Sequence, residues 1–422
     1  MVIKYLFLDK DTNPNILMRQ LIIGWGILLL TCKSIQAQTF NNVMDSLFKT
    51  STLSGYSATI ILNDTILYQR SFGYADIKEQ VPYTLQTRQP IASVSKTFVG
   101  IAVAKAVELG LFQLEDDINT LLPFHVANPR YRREPITVSQ LVTHTSSITD
   151  RLDVVKDEYI LCSARPESQH LIDSLRAVGF GKGSDKLTLA EFLKGYFTPG
   201  NEQNFISSKP GKTYNYSNIG AALAAYIVEV KSGMSFKDFT AQYIFAPLHM
   251  IHTYWMTDCP EDTAIAQLYT AGMVPYPRYR YHAYPAGELV TTAEDLAIYM
   301  KEILKGYEGR GTLLNTASYK ALFAPAFNES SKPKGLPPNE PNIGILWSHR
   351  QNGIIGHTGG DAGVTSFFFI KPATHIGMIL ISNTEINNWQ VPNMPQLEGF
   401  QAVWKAMGAY ANKTAQHNEE QP

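Results

Sequence analysis

Apolar and polar positions alternate between two regimes along this chain, and the first apolar run is not part of a fold. Residues 21–31, LIIGWGILLLT, are uncharged and apolar over the length of a leader core. Arg19 precedes them, and Ile35-Gln36-Ala37 follows before Gln38. A charged start, an apolar centre and a small-residue exit describe a secretory signal over residues 1–37, cleaved after Ala37. The run is too short to remain as a permanent spanning helix, so no stable transmembrane span is expected after cleavage. A looser reading takes Leu29-Leu30-Thr31-Cys32 as a lipoprotein box, which the threonine before Cys32 disfavours. Met18 is a second plausible start of translation. The expected localisation is secreted or periplasmic.

Beyond the leader, Phe40, Val43, Met44, Leu47 and Phe48 recur at helical spacing and predict a short amphipathic helix over 40–50. Tyr56–Leu62 and Ile66–Gly73 are β-rich runs separated by Asn63-Asp64-Thr65, the pattern of a hairpin. Ser93–Leu109 reads as a long apolar helix ended by Gly110. Further helices are expected at 114–122, 137–145, 188–197, 217–232, 235–244 and 293–306. Residues 307–342 read as loop, with the Pro-rich SSKPKGLPPNEPN at 330–342 exposed. Strand candidates follow at Gly344–His349, Gly353–Ile355, Thr365–Ile370 and Ile376–Ser382. A last helix near 397–410 precedes a polar tail, 412–422, expected to be disordered.

Strands first, helices in the middle and strands last predict an α+β, two-lobed domain over 38–411. Its sheet lobe (about 40–92 and 343–411) would be largely antiparallel, built from both chain ends and flanked by helices. Its helical lobe would span about 100–310. The cleft between the lobes is the expected place for chemistry.

Composition narrows the function classes. The chain has 422 residues, 45% hydrophobic and 17% charged, enough to bury a sizeable core. Lysine and arginine total 36 against 37 acidic residues, and the leader carries a net +2, leaving −3 for the remainder. Nothing in that balance supplies the positive excess that tracking nucleic-acid phosphates requires, so no nucleic-acid partner is expected. Cys32, Cys162 and Cys259 fit no zinc pattern, and after processing a single bridge between Cys162 and Cys259 is possible.

The nucleophile candidate is Ser93 in Ser93-Val94-Ser95-Lys96. Residues i and i+3 share a helix face, so the Lys96 amine can reach the Ser93 hydroxyl and take or shuttle its proton. The pattern is weak alone, because Ser46-x-x-Lys49 and Ser331-x-x-Lys334 also satisfy it. The first sits on a predicted surface helix, and the second contains Pro333. Two further motifs strengthen it. Tyr216-Ser217-Asn218 precedes an apolar helix and offers a phenol for proton transfer and an amide with both donor and acceptor. Gly356-His357-Thr358-Gly359-Gly360 opens a strand region where a backbone can approach a ligand closely.

Other patterns are absent or incomplete. No Gly-x-Ser-x-Gly elbow occurs, and His249-Met250-Ile251-His252 lacks the glutamate and spacing of a zinc-protease helix. The Gly-rich run Gly179–Ser184 lacks phosphate-loop spacing. No metal and no organic cofactor is expected.

In order and spacing, the three motifs resemble the serine β-lactamase and penicillin-binding protein superfamily, its class C-like branch in particular. Similar stretches are Gly73-Tyr74-Ala75-Asp76, Ile136–Val138 through Leu141–Ser146, Ala286–Val290 leading into Ala293–Leu296, and Gly356–Gly363. Together they extend over roughly residues 42–410. The resemblance implies a β-lactamase/transpeptidase-like fold with Ser93 as acylated nucleophile, Lys96 as its partner and Tyr216 as base or proton relay. Asn218 would hold Lys96 and the substrate amide, and His357, Thr358, Gly359 and Gly360 would line the substrate. The amides of Ser93 and Gly360 would form an oxyanion hole.

Two departures qualify it. His357 stands where the motif set has lysine, and Glu288 where glycine is usual. The implied activity is a secreted serine hydrolase acting through an acyl-enzyme on a small peptide, possibly peptidoglycan-derived and containing D-amino acids, or on an ester. The alternatives are a β-lactamase and a non-turnover β-lactam or peptidoglycan sensor. A histidine of ordinary pKa at 357 would read a substrate carboxylate with an affinity that fades between roughly pH 6 and 8. Tyr276–Tyr284, which precedes Ala286-Gly287, is expected to border the substrate cleft.

Overall fold

The computed structural model describes residues 38–151, 159–163, 165–177, 180–182, 187–198, 202–259, 265–386 and 395–419. The leader with Cys32 and Ala37, half of the Gly179–Ser184 run and the last three residues lie outside them. The chain divides into two compact units, Met1–Thr50 and Ser51–Pro422. In the first, a helix runs from residue 38 to the boundary. The second holds everything that follows.

The principal sheet has eight strands. They are β1 Gly55–Leu62, β2 Thr65–Asp76, β3 Val81–Pro82, β4 Asn342–Ile343, β5 Ser348–His349, β6 Ile355–Asp361, β7 Val364–Lys371 and β8 Ile376–Ser382. Their order is β4-β5-β6-β7-β8-β1-β2-β3, and every neighbouring pair is antiparallel. The sheet is thus assembled from both ends of the unit, with Tyr56 opposite Ser382 and Leu62 opposite Ile376 where the ends meet. β1 is buried along its whole length, as a run of small and β-branched residues in mid-sheet should be. Two helices cover it, α3 (Ala293–Tyr307) and α4 (Pro395–Glu419). They lie on opposite faces: a side chain at Gly377 would strike Met300 and Leu304 of α3, while Gly408 of α4 lies beside Met378.

Helix α1 (Ser95–Glu108) is the axis of the unit. Val94 through Ala104 is buried without a break, which is why its sequence is apolar all round rather than striped. Its Gly100 passes so close to the Ile345 carbonyl and the Trp347 ring that a side chain there would collide with both. Helix α2 (Asn218–Ser232) packs against α1 and begins at the Tyr-Ser-Asn motif. Among the described residues, no single helix is long and apolar enough to cross a membrane.

Several local expectations are corrected. Residues 114–122 supply only a single 3-10 turn, Ile118–Thr120, because Asp117 and Asn119 bind backbone locally instead of continuing a helix. The loop assigned to 307–342 contains a helix, Thr316–Phe323, capped by Asn315. Gly353–Ile355 is mostly a turn, and the strand runs instead over Ile355–Asp361, where three glycines hide the β signal. The tail does not stop at 411: α4 continues to Glu419, its last turns held by buried Ala411 and Ala415 one turn apart. Strand Tyr159–Ser163 pairs with Arg278–Tyr281 and is tied by a Cys162–Cys259 disulfide, the one bridge the cysteine count allows.

Candidate active site

Ser93 lies in a 3-10 turn, Ala92–Val94, immediately before α1 rather than inside the helix. The turn preserves the i, i+3 relationship, since residues three apart eclipse in that geometry. Ala92 just before it has φ +46, a left-handed conformation held at some cost beside the serine. Lys96, fully buried in the first turn of α1, points its Nζ at three oxygens: Ser93 Oγ at 3.0 Å, Asn218 Oδ1 at 2.6 Å and the Ala286 carbonyl at 2.6 Å. The Asn218 and Ala286 oxygens face it as acceptors, so Lys96 donates to both. The serine hydroxyl can either accept from the amine or donate to it.

Tyr216 completes this group. Lys96 Nζ is 5.1 Å from the centre of its ring, and the Ser93 side chain lies near enough to its phenol to act on its pKa. Burial pushes the phenol pKa up and the nearby Ser93 side chain opposes this, so the neutral phenol is the resting form. Some 38% of the residue's surface stays open to the cleft, which moderates that push. Asn218 is held by an aspartate that sequence reading missed. Asp150 accepts from Ser217 Oγ at 2.7 Å, Asn218 N at 2.7 Å and Ile219 N at 3.1 Å, capping the N-terminus of α2. His144, also missed, lies beneath Tyr216, and its Nδ1 accepts from the Ser217 amide at 3.2 Å.

Strand β6 closes the other side. A side chain at Gly359 would strike the Ile91 carbonyl and the Ser366 hydroxyl, and its first atom would sit 3.1 Å from the Ser93 amide. Glycine there lets the strand lie directly against the nucleophile. Ser366 donates to the Ile91 carbonyl at 2.6 Å and pins the approach. Ser93, Tyr214, Tyr216, Pro337, Glu340, Ser348, His357, Thr358 and Gly360 line a cleft of about 320 Å³. The structure therefore brings together all eight residues that the motifs singled out: Ser93, Lys96, Tyr216, Asn218, His357, Thr358, Gly359 and Gly360.

Three expectations about this region are corrected. His357 does not keep an ordinary pKa. Burial, aided by Lys96, pushes it down to about 3, so it is neutral across the working range. Its Nδ1 lies 2.5 Å from the Thr358 carbonyl, which can only accept. The ring proton is therefore on Nδ1, and Nε2 is a bare acceptor. Tyr279 and Tyr281 are buried rather than cleft-lining. Tyr279 donates to the Ala362 carbonyl at 2.9 Å, and the Tyr281 hydroxyl occupies the space beside Gly287 that a larger residue would need. Finally, 330–342 is not only exposed loop. Lys334 is bound by Tyr214 and Lys212 through the backbone, and Pro337 and Glu340 reach the cleft.

Glu288 is buried near Tyr279. We have no mechanistic account of it.

Comparison with known proteins gives the same family. The Beta-lactamase family model matches residues 40–402. Protein flp of Staphylococcus aureus (strain MRSA252) is 23% identical over 370 residues, covering 87% of this chain. The chain spans 66% of that relative's length. Among solved structures, the octameric penicillin-binding protein homologue from Pyrococcus abyssi superposes with a TM-score of 0.66 at 22% identity, over 88% of this chain and 77% of that one. The D-amino acid amidase from Ochrobactrum anthropi SV3, complexed with L-phenylalanine amide, gives 0.65 at 20% identity, over 88% of this chain and 99% of that one. The buried lysine between serine and asparagine, the tyrosine over it and the glycine strand against the nucleophile stand in a chain that belongs to the beta-lactamase family of serine hydrolases.

Proposed function

We propose that this protein hydrolyses an amide or ester through an acyl intermediate on Ser93, and that it works outside the cytoplasm. The observation that carries the reading is the 3.0 Å approach of Lys96 Nζ to Ser93 Oγ at the floor of an open cleft. Ser93 Oγ attacks the substrate carbonyl and its proton passes to Lys96, which enters this step as the neutral amine and is held in line by its other two hydrogen bonds. The oxyanion forms between the amides of Ser93 and Gly360, donors fixed before charge develops. Tyr216, neutral at rest, gives its proton to the leaving atom, the carbonyl–leaving-group bond breaks, and Lys96 returns a proton to Tyr216. Water then repeats the sequence on the acyl-enzyme, releasing the acid and restoring Ser93.

The fold shared with a D-amino acid amidase supports an amide among the substrates. The leader pattern and the Cys162–Cys259 disulfide support an oxidising compartment. The test is intact-protein mass spectrometry with a fluorophosphonate and with activated esters and amides. A transient acyl adduct on Ser93, lost in Ser93→Ala, is expected. A permanent adduct with no product release would favour a sensor, and no adduct with any probe would overturn the reading.

A further inference from the structure

We propose that the leaving-group side of the cleft selects amides or esters whose leaving portion is an uncharged or cationic hydrogen-bond donor and rejects a carboxylate there, with Glu340 setting the choice. The proposal rests on the acyl-enzyme reading above and deepens it.

Tyr216 delivers the proton to the leaving atom, so the leaving portion lies on the Tyr216 side of Ser93. The His357 ring lies 6.0 Å from that of Tyr216, and Tyr214, Pro337, Glu340 and Ser348 line the same cleft. Among the described residues lining the cleft, none is lysine or arginine. Lys96 lies beneath, fully buried among three oxygens. A carboxylate placed here would find no cation facing it. It would find Glu340 instead.

Two of the polar groups on this wall, His357 and Glu340, are set up as acceptors, and the Tyr214 hydroxyl can donate or accept. His357 spends its only ring proton on the Thr358 carbonyl and presents Nε2 as a lone pair. Glu340 accepts from Ser348 Oγ at 3.0 Å and from Arg350 at 2.8 Å. A carboxylate has room for about four hydrogen bonds, so two acceptor positions remain.

Arg350 cannot turn to meet an anion without leaving two partners. It is paired with Glu340 and lies over the Phe369 ring at 4.6 Å. His357 stands opposite Phe368 in the sheet, so Phe369, one residue on, belongs to the other face. Arg350, the cation paired with Glu340, is thus drawn toward the far face of β7. An amine, an alcohol or a primary amide in the leaving portion can donate into this wall; a terminal carboxylate, including the one a β-lactam carries beside its ring nitrogen, cannot.

The experiment compares three thioesters with one common acyl group and different leaving thiols: 2-(dimethylamino)ethanethiol, whose tertiary ammonium keeps an N–H donor and forms no amide, thioglycolamide and thioglycolate. Thiol release gives kcat/KM for each. The two donor-bearing thiols are expected to exceed thioglycolate by at least about tenfold, mostly through KM. In Glu340→Gln the ratio of the dimethylaminoethanethiol ester to the thioglycolate ester should fall by about tenfold, and Glu340→Asp should restore part of it. If Glu340→Gln does not fold, the wild-type ratios alone decide. Equal values for all three thioesters, or preference for thioglycolate, overturn this proposal and leave the acyl-enzyme reading standing. No Ser93-dependent release from any of them overturns both.

Discussion

The imidazole of His144 lies 4.5 Å from the ring of Tyr216, so the candidate proton donor rests on a histidine that is itself neutral. Burial holds the His144 pKa well below its ordinary value, with Lys96 and His357 adding to the effect. Because Nδ1 accepts the Ser217 amide, His144 also fixes the backbone between Tyr216 and Asn218. We expect His144→Leu to strand that buried amide at a cost of about 1–3 kcal/mol. It should lower kcat by roughly 10- to 100-fold with a smaller change in KM, because its effect is on placement. An unchanged kcat in a folded variant would remove His144 from the positioning role.

Lys96→Met should abolish acylation almost completely. Removing a positioned proton-transfer group costs on the order of 10²- to 10⁴-fold, and the loss should appear in the acylation rate measured with an activated ester. Lys96→Arg should not rescue it. The three oxygens converge on one point, whereas a guanidinium spreads its donors over a plane.

Stability should fall on mild acidification. His144 and His357 have pKa values depressed in the folded state, so below about pH 6.5 the unfolded chain takes up protons that the folded one does not. Asp361 works the other way: burial raises it to about 6, so the fold gains that proton first. His349, also depressed by burial, adds to the uptake by the unfolded chain, so between about pH 6 and 4 the histidines outweigh Asp361 and stability falls as pH falls. Thermal melts against pH should show this slope, and His357→Asn should flatten it. A Tm that rises as pH falls through this window would contradict the burial argument. The kcat/KM profile should show no inflection from His357 between pH 5 and 8.

Asp150→Ala should cost about 1–2 kcal/mol in urea unfolding, as expected for losing a helix cap. Asp150→Asn should keep part of the stability but less of the activity, because Asn218 would be less firmly held against Lys96. Equal activity in all three proteins would show that the cap does nothing beyond stabilising α2.

The disulfide closes a separation of 97 residues. Replacing Cys162 and Cys259 by serine should lower stability by about 4.7 kcal/mol on the loop-closure account. Addition of a reductant to the wild type should produce the same shift in a melt. No shift in either experiment would mean that the bridge contributes nothing to the fold.

The nucleophile and its lysine were legible because the chemistry needed only an i, i+3 spacing, which a one-turn geometry preserves whether α or 3-10. The central strands were legible because Ile60, Ile61 and Leu62, or Ile379, Leu380 and Ile381, declare burial by composition alone. The tyrosines at 279 and 281 misled because a phenol is amphipathic. The same ring serves a cleft wall or a core with one hydrogen-bonded tip, and here it does the second. Glu340 was illegible for a different reason. Its segment has no periodicity, and its position is set by Ser348, Arg350 and the Thr213–Lys334 bridge, contacts that no local pattern encodes. Asp150 and His144 act through backbone amides of residues far along the chain, so their identity carries no signal in their own neighbourhood.

Ser54 and Thr384, joined where the two ends of the sheet meet, are 330 residues apart in the chain. During synthesis β1 emerges early and waits, with one edge unpaired, until β8 has been made. Every strand from β4 to β8 must arrive before β6 can lie against Ser93. The polypeptide therefore has no assembled nucleophile for most of its synthesis, and a contact order this high makes the final closure slow. A ribosome-stalled chain ending before residue 376 should leave Ser93 inert to acylating probes, and labelling should begin only once the last strand is free to pair.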